Sequence, residues 1–283
     1  RYLGKGLIMG KTEFHLITVG NSFVINFQKA MDDPKIKKAG MGDGIWSELI
    51  NDSSFLEKIY AFLSEKPKER SAELNSFLKY CEKHNINPAT CEIYLSGTQT
   101  ASNEIALRVI EKYFKEKLNC TMYSSPQFPG YFDKPLETAA DEFIKGLTDI
   151  LDCFIYLASK KKKEGYKVVF NPTGGFKAHV ITSALAGFLT GCEVYYMHEE
   201  FKDIIKFPPL FYLPRGNELK VLEMLSDKKP KSNKEFKELM NKYADEIARL
   251  EHYGLLEVER DEFNEACGMR ITNKGTWACG YLI

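Results

Sequence analysis

The residues best suited to chemistry in this chain form one run, Val168-Val169-Phe170-Asn171-Pro172-Thr173-Gly174-Gly175-Phe176-Lys177. β-favouring apolar residues lead into a glycine turn, and a helical pattern starts at Lys177. In an open α/β sheet, ligands bind outside the carboxyl ends of strands, and the next helix aims its amides and positive dipole end at that crevice. The run therefore reads as an anion site, spanning Asn171 to Lys177. Gly174 and Gly175 would let a phosphate approach the backbone without a Cβ in the way, while Thr173 offers a hydroxyl and Lys177 a mobile cation. The plain alternative is a tight turn with a surface lysine. A Walker-type nucleotide loop does not fit, because Ala178 stands where a magnesium-binding Ser or Thr is required and the glycine spacing is too short.

Two more polar loops follow apolar runs in the same manner. Gly20-Asn21-Ser22 ends the run 14–19, and Ser96-Gly97-Thr98-Gln99-Thr100-Ala101-Ser102-Asn103-Glu104 ends the run 92–95. Each could be a turn or cap, with Ser22 or Ser102 serving as an N-cap. Three such loops at one sheet edge point instead to a shared crevice in which Ser22 lies close to Lys177. Residues 123–135 form a long loop rich in aromatics and prolines, where Phe128 and Tyr131 could stack on nucleobases or pack onto their own domain.

The elements that must position these loops alternate. Runs 14–19, 92–95, 167–170 and 193–197 read as buried strands; 54–65, 71–83, 103–114, 143–157 and 177–189 carry helical periodicity. The lysines at 160–163 read as the solvated end of a helix. Such alternation predicts an α/β class, with a Rossmann-like, mainly parallel sheet and helices on both faces. Beyond Pro208, Pro209 and Pro214 the pattern changes to charged helices at 219–225, 234–240 and 244–252, then strand-like 255–259 and 270–272. Three helices and a hairpin describe a small winged helix-turn-helix domain, so the expected division is 9–214 and 215–283. The first eight residues lack the apolar core of a signal peptide and are read as an upstream extension outside the fold.

Composition sets limits on function. Net charge is +0 over 283 residues, 44% hydrophobic and 28% charged, so no global cationic field draws the chain to nucleic acid. From 215 to 283 there are twelve cations against thirteen carboxylates, a balance of minus one. The helix that would enter a major groove carries Asp245, Glu246 and Glu251 against Arg249, which argues against DNA binding and for a dimerising or ligand-covering role. The seven scattered cysteines contain no Cys-x-x-Cys pair, so spacing signals neither a metal site nor a disulfide framework. A cytoplasmic protein without a membrane segment or cofactor is expected.

The segments Thr18-Val19-Gly20-Asn21-Ser22, Asn171-Pro172-Thr173-Gly174-Gly175-Phe176-Lys177, and Tyr196-Met197-His198-Glu199 with Pro208-Pro209-Leu210 beyond resemble the CRISPR-associated Rossmann-fold (CARF) family, in its ring-nuclease-like branch of type III systems. The resemblance implies a homodimer that binds a ring of AMP units, usually four, across its two-fold axis. It implies metal-independent cleavage of that messenger by a ribose 2′-hydroxyl, which would switch off antiviral signalling. Ser22 and Lys177 match the catalytic positions; Gly20, Asn21, Thr98, Gln99, Thr100, Asn171, Thr173, Gly174, Gly175, Phe176, Phe128 and Tyr131 complete the expected ligand site. His198 is expected to be a core or dimer-contact residue. The alternative function is a ligand-responsive regulator that binds DNA or a protein without cutting the ring.

Overall fold

A computed structural model of the chain describes residues 13–123, 136–198, 200, 203–208, 212, 214–226 and 232–282. Of the expected loop 123–135, residues 124–135, with Phe128 and Tyr131, lie outside the described residues, as do residues 1–12. Two compact units divide the chain, Arg1–Phe207 and Pro208–Ile283.

The larger unit is built on β1 (Glu13–Thr18), β2 (Cys91–Ser96), β3 (Thr121–Tyr123), β4 (Lys167–Asn171), β5 (Glu193–Tyr196) and β6 (Ile205–Lys206), in the spatial order β3-β2-β1-β4-β5-β6. The first five are parallel and β6 is antiparallel. Chain order reverses between β1 and β4, which makes the crevice beyond their carboxyl ends a topological switch point. Every residue of β1 and β2 is buried, because helices cover both faces. Ile17 and Ile93 pack with Phe23, Ile59, Phe77 and Ile110, contributed by α1 (Ser22–Ala30), α4 (Ser53–Glu65), α6 (Ala72–His84) and α7 (Ala101–Glu116). Phe14, Leu16 and Phe170 pack on the other face with Ile150, Phe154 and Ala186 of α8 (Leu136–Lys163) and α9 (Lys177–Leu189). The expected mainly parallel α/β sheet is observed.

Several local expectations change. Ser22 opens α1 instead of continuing a loop. Short helices α2 (Pro34–Lys38), α3 (Ile45–Leu49) and α5 (Pro67–Arg70) fill stretches without clear periodicity. α8 begins at Leu136, well before the expected 143. Its terminal lysines are not all solvated: Lys161 is 5% exposed and pairs with Glu92 at 3.0 Å, since Glu92 is buried at the start of β2 and requires a cation.

The smaller unit consists of α10 (Asn217–Leu225), α11 (Asn233–His252), the antiparallel pair β7 (Leu256–Arg260) and β8 (Ala266–Ile271), and α12 (Asn273–Leu282). The two helices expected at 234–240 and 244–252 form one element broken at Tyr243, whose φ of −130° and ψ of 31° are not helical. α12 was not expected from the sequence. No helix among the described residues is long and apolar enough to cross a membrane.

Candidate functional site

Side chains beyond the carboxyl ends of β1 and β4 enclose a cavity of about 730 Å³ lined by Ser22, Asn26, Lys29, Lys68, Glu69, Arg70, Ala72, Asn75, Thr173, Met197 and His198. Ser22, Asn26 and Lys29 follow one another at i, i+4 and i+7 along α1, so the face turned away from buried Phe23 and Phe27 becomes a wall. Lys68 and Arg70 come from the single turn α5 and Asn75 from α6. Three cations face one carboxylate, Glu69, within these walls. Lys68 pairs with Glu82; Arg70 pairs with Glu65 at 2.9 Å and lies 3.7 Å over the Phe62 ring. These ion pairs are partly solvent-exposed, so an incoming polyanion can compete for the cations at small cost.

The helices entering from the two switch-point strands share a feature. α1 starts after Asn21 and α9 after Phe176, and neither has a side-chain cap hydrogen bond. By contrast, Asp52, Ser71 and Thr100 cap α4, α6 and α7 through their side chains. First-turn amides at α1 and α9 thus lack side-chain acceptors, the condition in which a helix end binds an anion.

The glycine turn is held by the protein itself. Glu73, fully buried on α6, accepts the Gly20 amide on Oε1 at 2.9 Å and the Ser71 hydroxyl on Oε2 at 2.8 Å. Burial pushes its carboxyl above the ordinary range, against the opposing effect of those donors. A Cβ on Gly174 would lie 2.0 Å from Glu73 Oε1, and one on Gly20 would lie 2.6 Å from the Gly175 amide. Gly175 has φ +116°, a conformation L-residues avoid. Thr18 donates its hydroxyl to the Gly174 carbonyl. Both loops are therefore locked together, and the space beside Gly174 belongs to Glu73, where a ligand phosphate was expected.

Each remaining expected residue has a definite place. Thr173 lines the cavity, donates to Asn171 Oδ1 at 2.6 Å and accepts the Met197 amide at 3.2 Å. Asn171 is 0% exposed and donates to Ser76 Oγ at 2.8 Å, so it supports the loop from beneath. Phe176 packs edge-on with Phe143 and His179; burial lowers the His179 pKa to about 4. Lys177 is exposed on the first turn of α9 and is not among the cavity walls. Thr98, Gln99 and Thr100 do not line the cavity either. Their loop acts through the helix behind it: Asn103 donates to Val19 O at 3.1 Å and Asn21 Oδ1 at 3.0 Å, and Ser102 accepts from Asn21 Nδ2 at 3.1 Å. The N-cap of α7 is Thr100, and Ser102 instead donates to the Met41 carbonyl at 2.8 Å. His198, expected in a core or an interface, lies on the cavity wall, where its Nδ1 accepts the Glu200 amide at 3.1 Å.

Sequence reasoning missed Asn26, Lys29, Lys68, Arg70, Asn75 and Glu73. The polar spacing of Ser22, Asn26 and Lys29 was the available signal, readable only once 22–30 is taken as a helix. Among solved structures the chain is similar to protein VC1899 from Vibrio cholerae, with a TM-score of 0.33 and 10% identity over 95% of this chain and 64% of that one. The chain thus spans somewhat under two thirds of that protein's length. A family model described as CRISPR-associated protein (Cas_APE2256) matches residues 68–210, half of the chain. That span holds α6, β4, the glycine turn and the cavity residues from Lys68 to His198, so the chain belongs to the CRISPR-associated Cas_APE2256 family.

Proposed function

We infer that this chain binds a cyclic oligoadenylate in the switch-point cavity, as a homodimer, and opens the ring without a metal by attack of a ribose 2′-hydroxyl on the adjacent phosphodiester. The observation that carries this reading is the cavity itself: Ser22 and Thr173 hydroxyls stand among Lys29, Lys68 and Arg70, at the start of α1, a helix end without a side-chain cap. Such a site suits several phosphates linked by sugars better than one small carboxylate. In the reaction the 2′-hydroxyl gives up its proton as its oxygen bonds to phosphorus, the bond from phosphorus to the 5′-oxygen breaks, and that oxygen takes up a proton, so a 2′,3′-cyclic phosphate and a 5′-hydroxyl remain. Ser22 orients the attacking oxygen and cations stabilise charge on the phosphorane. Lys177, exposed on the first turn of α9 and outside the cavity walls, would have to reach the ring from beyond them.

Dimerisation is supported by α9, which follows the glycine turn directly. Ile181, Leu185 and Leu189 repeat at i, i+4 and i+8 on one side of it and are 68%, 36% and 51% exposed. Pairing of these faces about a two-fold axis would bring two glycine turns to one symmetric ligand. We read the smaller unit as a winged-helix-like dimerising or ligand-covering module. Arg249 and Arg260, two of its cations, are already paired to Glu218 and Glu251.

Incubation with labelled cyclic tetra-adenylate in EDTA tests the assignment, with light scattering to record the oligomer. Linear products ending in 2′,3′-cyclic phosphate are expected. Tight binding with the ring intact over hours would replace the enzyme by the regulator, and absence of binding would discard the site.

A further inference from the structure

Much of the cavity's polar wall is already engaged within the protein. Lys68 pairs with Glu82, Glu69 with Lys66 at 3.0 Å and Arg70 with Glu65 at 2.9 Å, while Thr173 bonds Asn171 and the Met197 amide. Two side-chain amides on the wall are not engaged: Asn26 of α1 and Asn75 of α6 have no hydrogen-bond partner among the described residues. Each carboxamide keeps a donor and an acceptor, side by side, for whatever enters. The lining also holds two apolar side chains, Ala72 and Met197. Ala72 stands three residues before Asn75 on one face of α6, and its short side chain leaves the amide uncovered. Met197 follows β5 and is fixed by its own amide, which donates to Thr173 Oγ1 at 3.2 Å. On α1, Ser22 precedes Asn26 by about 6 Å along the helix axis and Lys29 follows it by about 4.5 Å, at the rise of about 1.5 Å per residue.

We propose that Asn75 and Asn26 determine which base the cavity accepts, by pairing with the 6-amino edge of adenine; the inference rests on the cyclic-oligonucleotide reading above. The carboxamide nitrogen donates to N7 and the carboxamide oxygen accepts from the 6-amino group, the bidentate pair that amide side chains make with adenine. Guanine and hypoxanthine carry an oxygen at C6, so the amide oxygen would meet a second acceptor. A lysine or arginine in either place would favour that oxygen and reverse the preference. A base that leaves the amide unpaired strips its solvation without return, so the wrong base is rejected as well as the right one attracted. Ala72 and Met197 supply apolar surface for the face of the ring, and a thioether makes favourable contact with aromatic systems. Along α1 a hydroxyl, an amide and a cation follow one another within the length of a nucleotide, matching its ribose, base and phosphate. A four-membered ring shared by two chains presents two bases to each, and each chain offers two amides.

The test compares three four-membered ribonucleotide rings, bearing adenine, purine without the 6-amino group, or hypoxanthine. Each competes with fluorescent cyclic tetra-adenylate, and binding is read by rapid mixing before cleavage. Wild type should prefer the adenine ring to either analogue by about 5- to 150-fold for each base that is read. Asn75→Ala and Asn26→Ala should each bind the adenine ring more weakly and lose part of that preference, while their affinity for the purine ring changes little. Circular dichroism identifies a variant that has not folded, and wild type decides the matter without them: equal affinity for the three rings overturns the base subsite and leaves the oligonucleotide reading standing. Full wild-type preference in both folded variants overturns the assignment to these residues. Failure of every ring to bind, adenine included, overturns both together.

Discussion

Replacing Gly174 by alanine tests whether the glycine turn is dictated by the protein's own packing. The new Cβ would stand 2.0 Å from Glu73 Oε1 and 2.6 Å from its Cδ, well inside contact distance. Glu73 cannot rotate away cheaply, because it is fully buried and its oxygens hold the Gly20 amide and the Ser71 hydroxyl. Overpacking costs about 1–3 kcal/mol, and loss of the Gly20 bond about 1–3 kcal/mol more. Gly20 is only half-buried, so water recovers part of the second loss and about 2–4 kcal/mol is expected overall. For a unit of this size that is roughly 5–15 °C of melting temperature, read by far-ultraviolet circular dichroism. Adding Glu73→Ala should relieve the clash, making the double variant less unstable than the summed single effects. A Gly174→Ala protein melting within about 1 °C of wild type, or strict additivity in the cycle, would refute the reasoning.

Glu73→Gln removes a carboxyl whose pKa burial raises. The folded state holds that proton more tightly than the unfolded chain, so wild type loses stability as pH rises through the ordinary range near 4.5 towards the folded value. The glutamine variant should therefore gain on wild type with rising pH, and a pH-independent difference in urea unfolding would contradict this. At the cavity, Ser22→Ala should lower single-turnover cleavage by on the order of 10² to 10³ with affinity nearly kept. Lys177→Ala should lower both rate and affinity, and Lys68→Ala chiefly affinity and its salt dependence; wild-type behaviour in all three would move the site elsewhere.

The sheet was legible because buried parallel strands read as nearly continuous apolar runs, as in Ile93-Tyr94-Leu95 and Val168-Val169-Phe170. α1 was not, since Gly20-Asn21-Ser22 has the composition of a turn and no side chain caps the helix. With α1 went the wall made by Asn26 and Lys29. Pro67 read as a break between helices, whereas it starts the one-turn α5 that presents Lys68 and Arg70. α12 was hidden by Gly275, which lowers helix propensity. That glycine is needed because a Cβ there would lie 2.0 Å from the Leu255 carbonyl oxygen. The buried group of Glu13, His15 and Cys91 has no local spacing to read, because the register of β1 and β2 assembles it.

A glycine-rich turn after a strand is weak evidence for an anion, and this chain shows why. Gly20 and Gly174 are explained by a neighbouring amide and a buried carboxyl that leave no room for a Cβ, so they would be required in a protein that binds nothing. The case for an anion rests on what packing does not use. α1 and α9 start without side-chain caps although α4, α6 and α7 all have them, and a missing cap commonly costs about 1 kcal/mol. Cations gather on the wall beside the start of α1, where Ser22 stands exposed. Because α3, α5 and α10 also start without side-chain caps, the bare end of α1 argues for a phosphate only together with the cations and the exposed Ser22 beside it, which is what the Ser22 and Lys68 variants test.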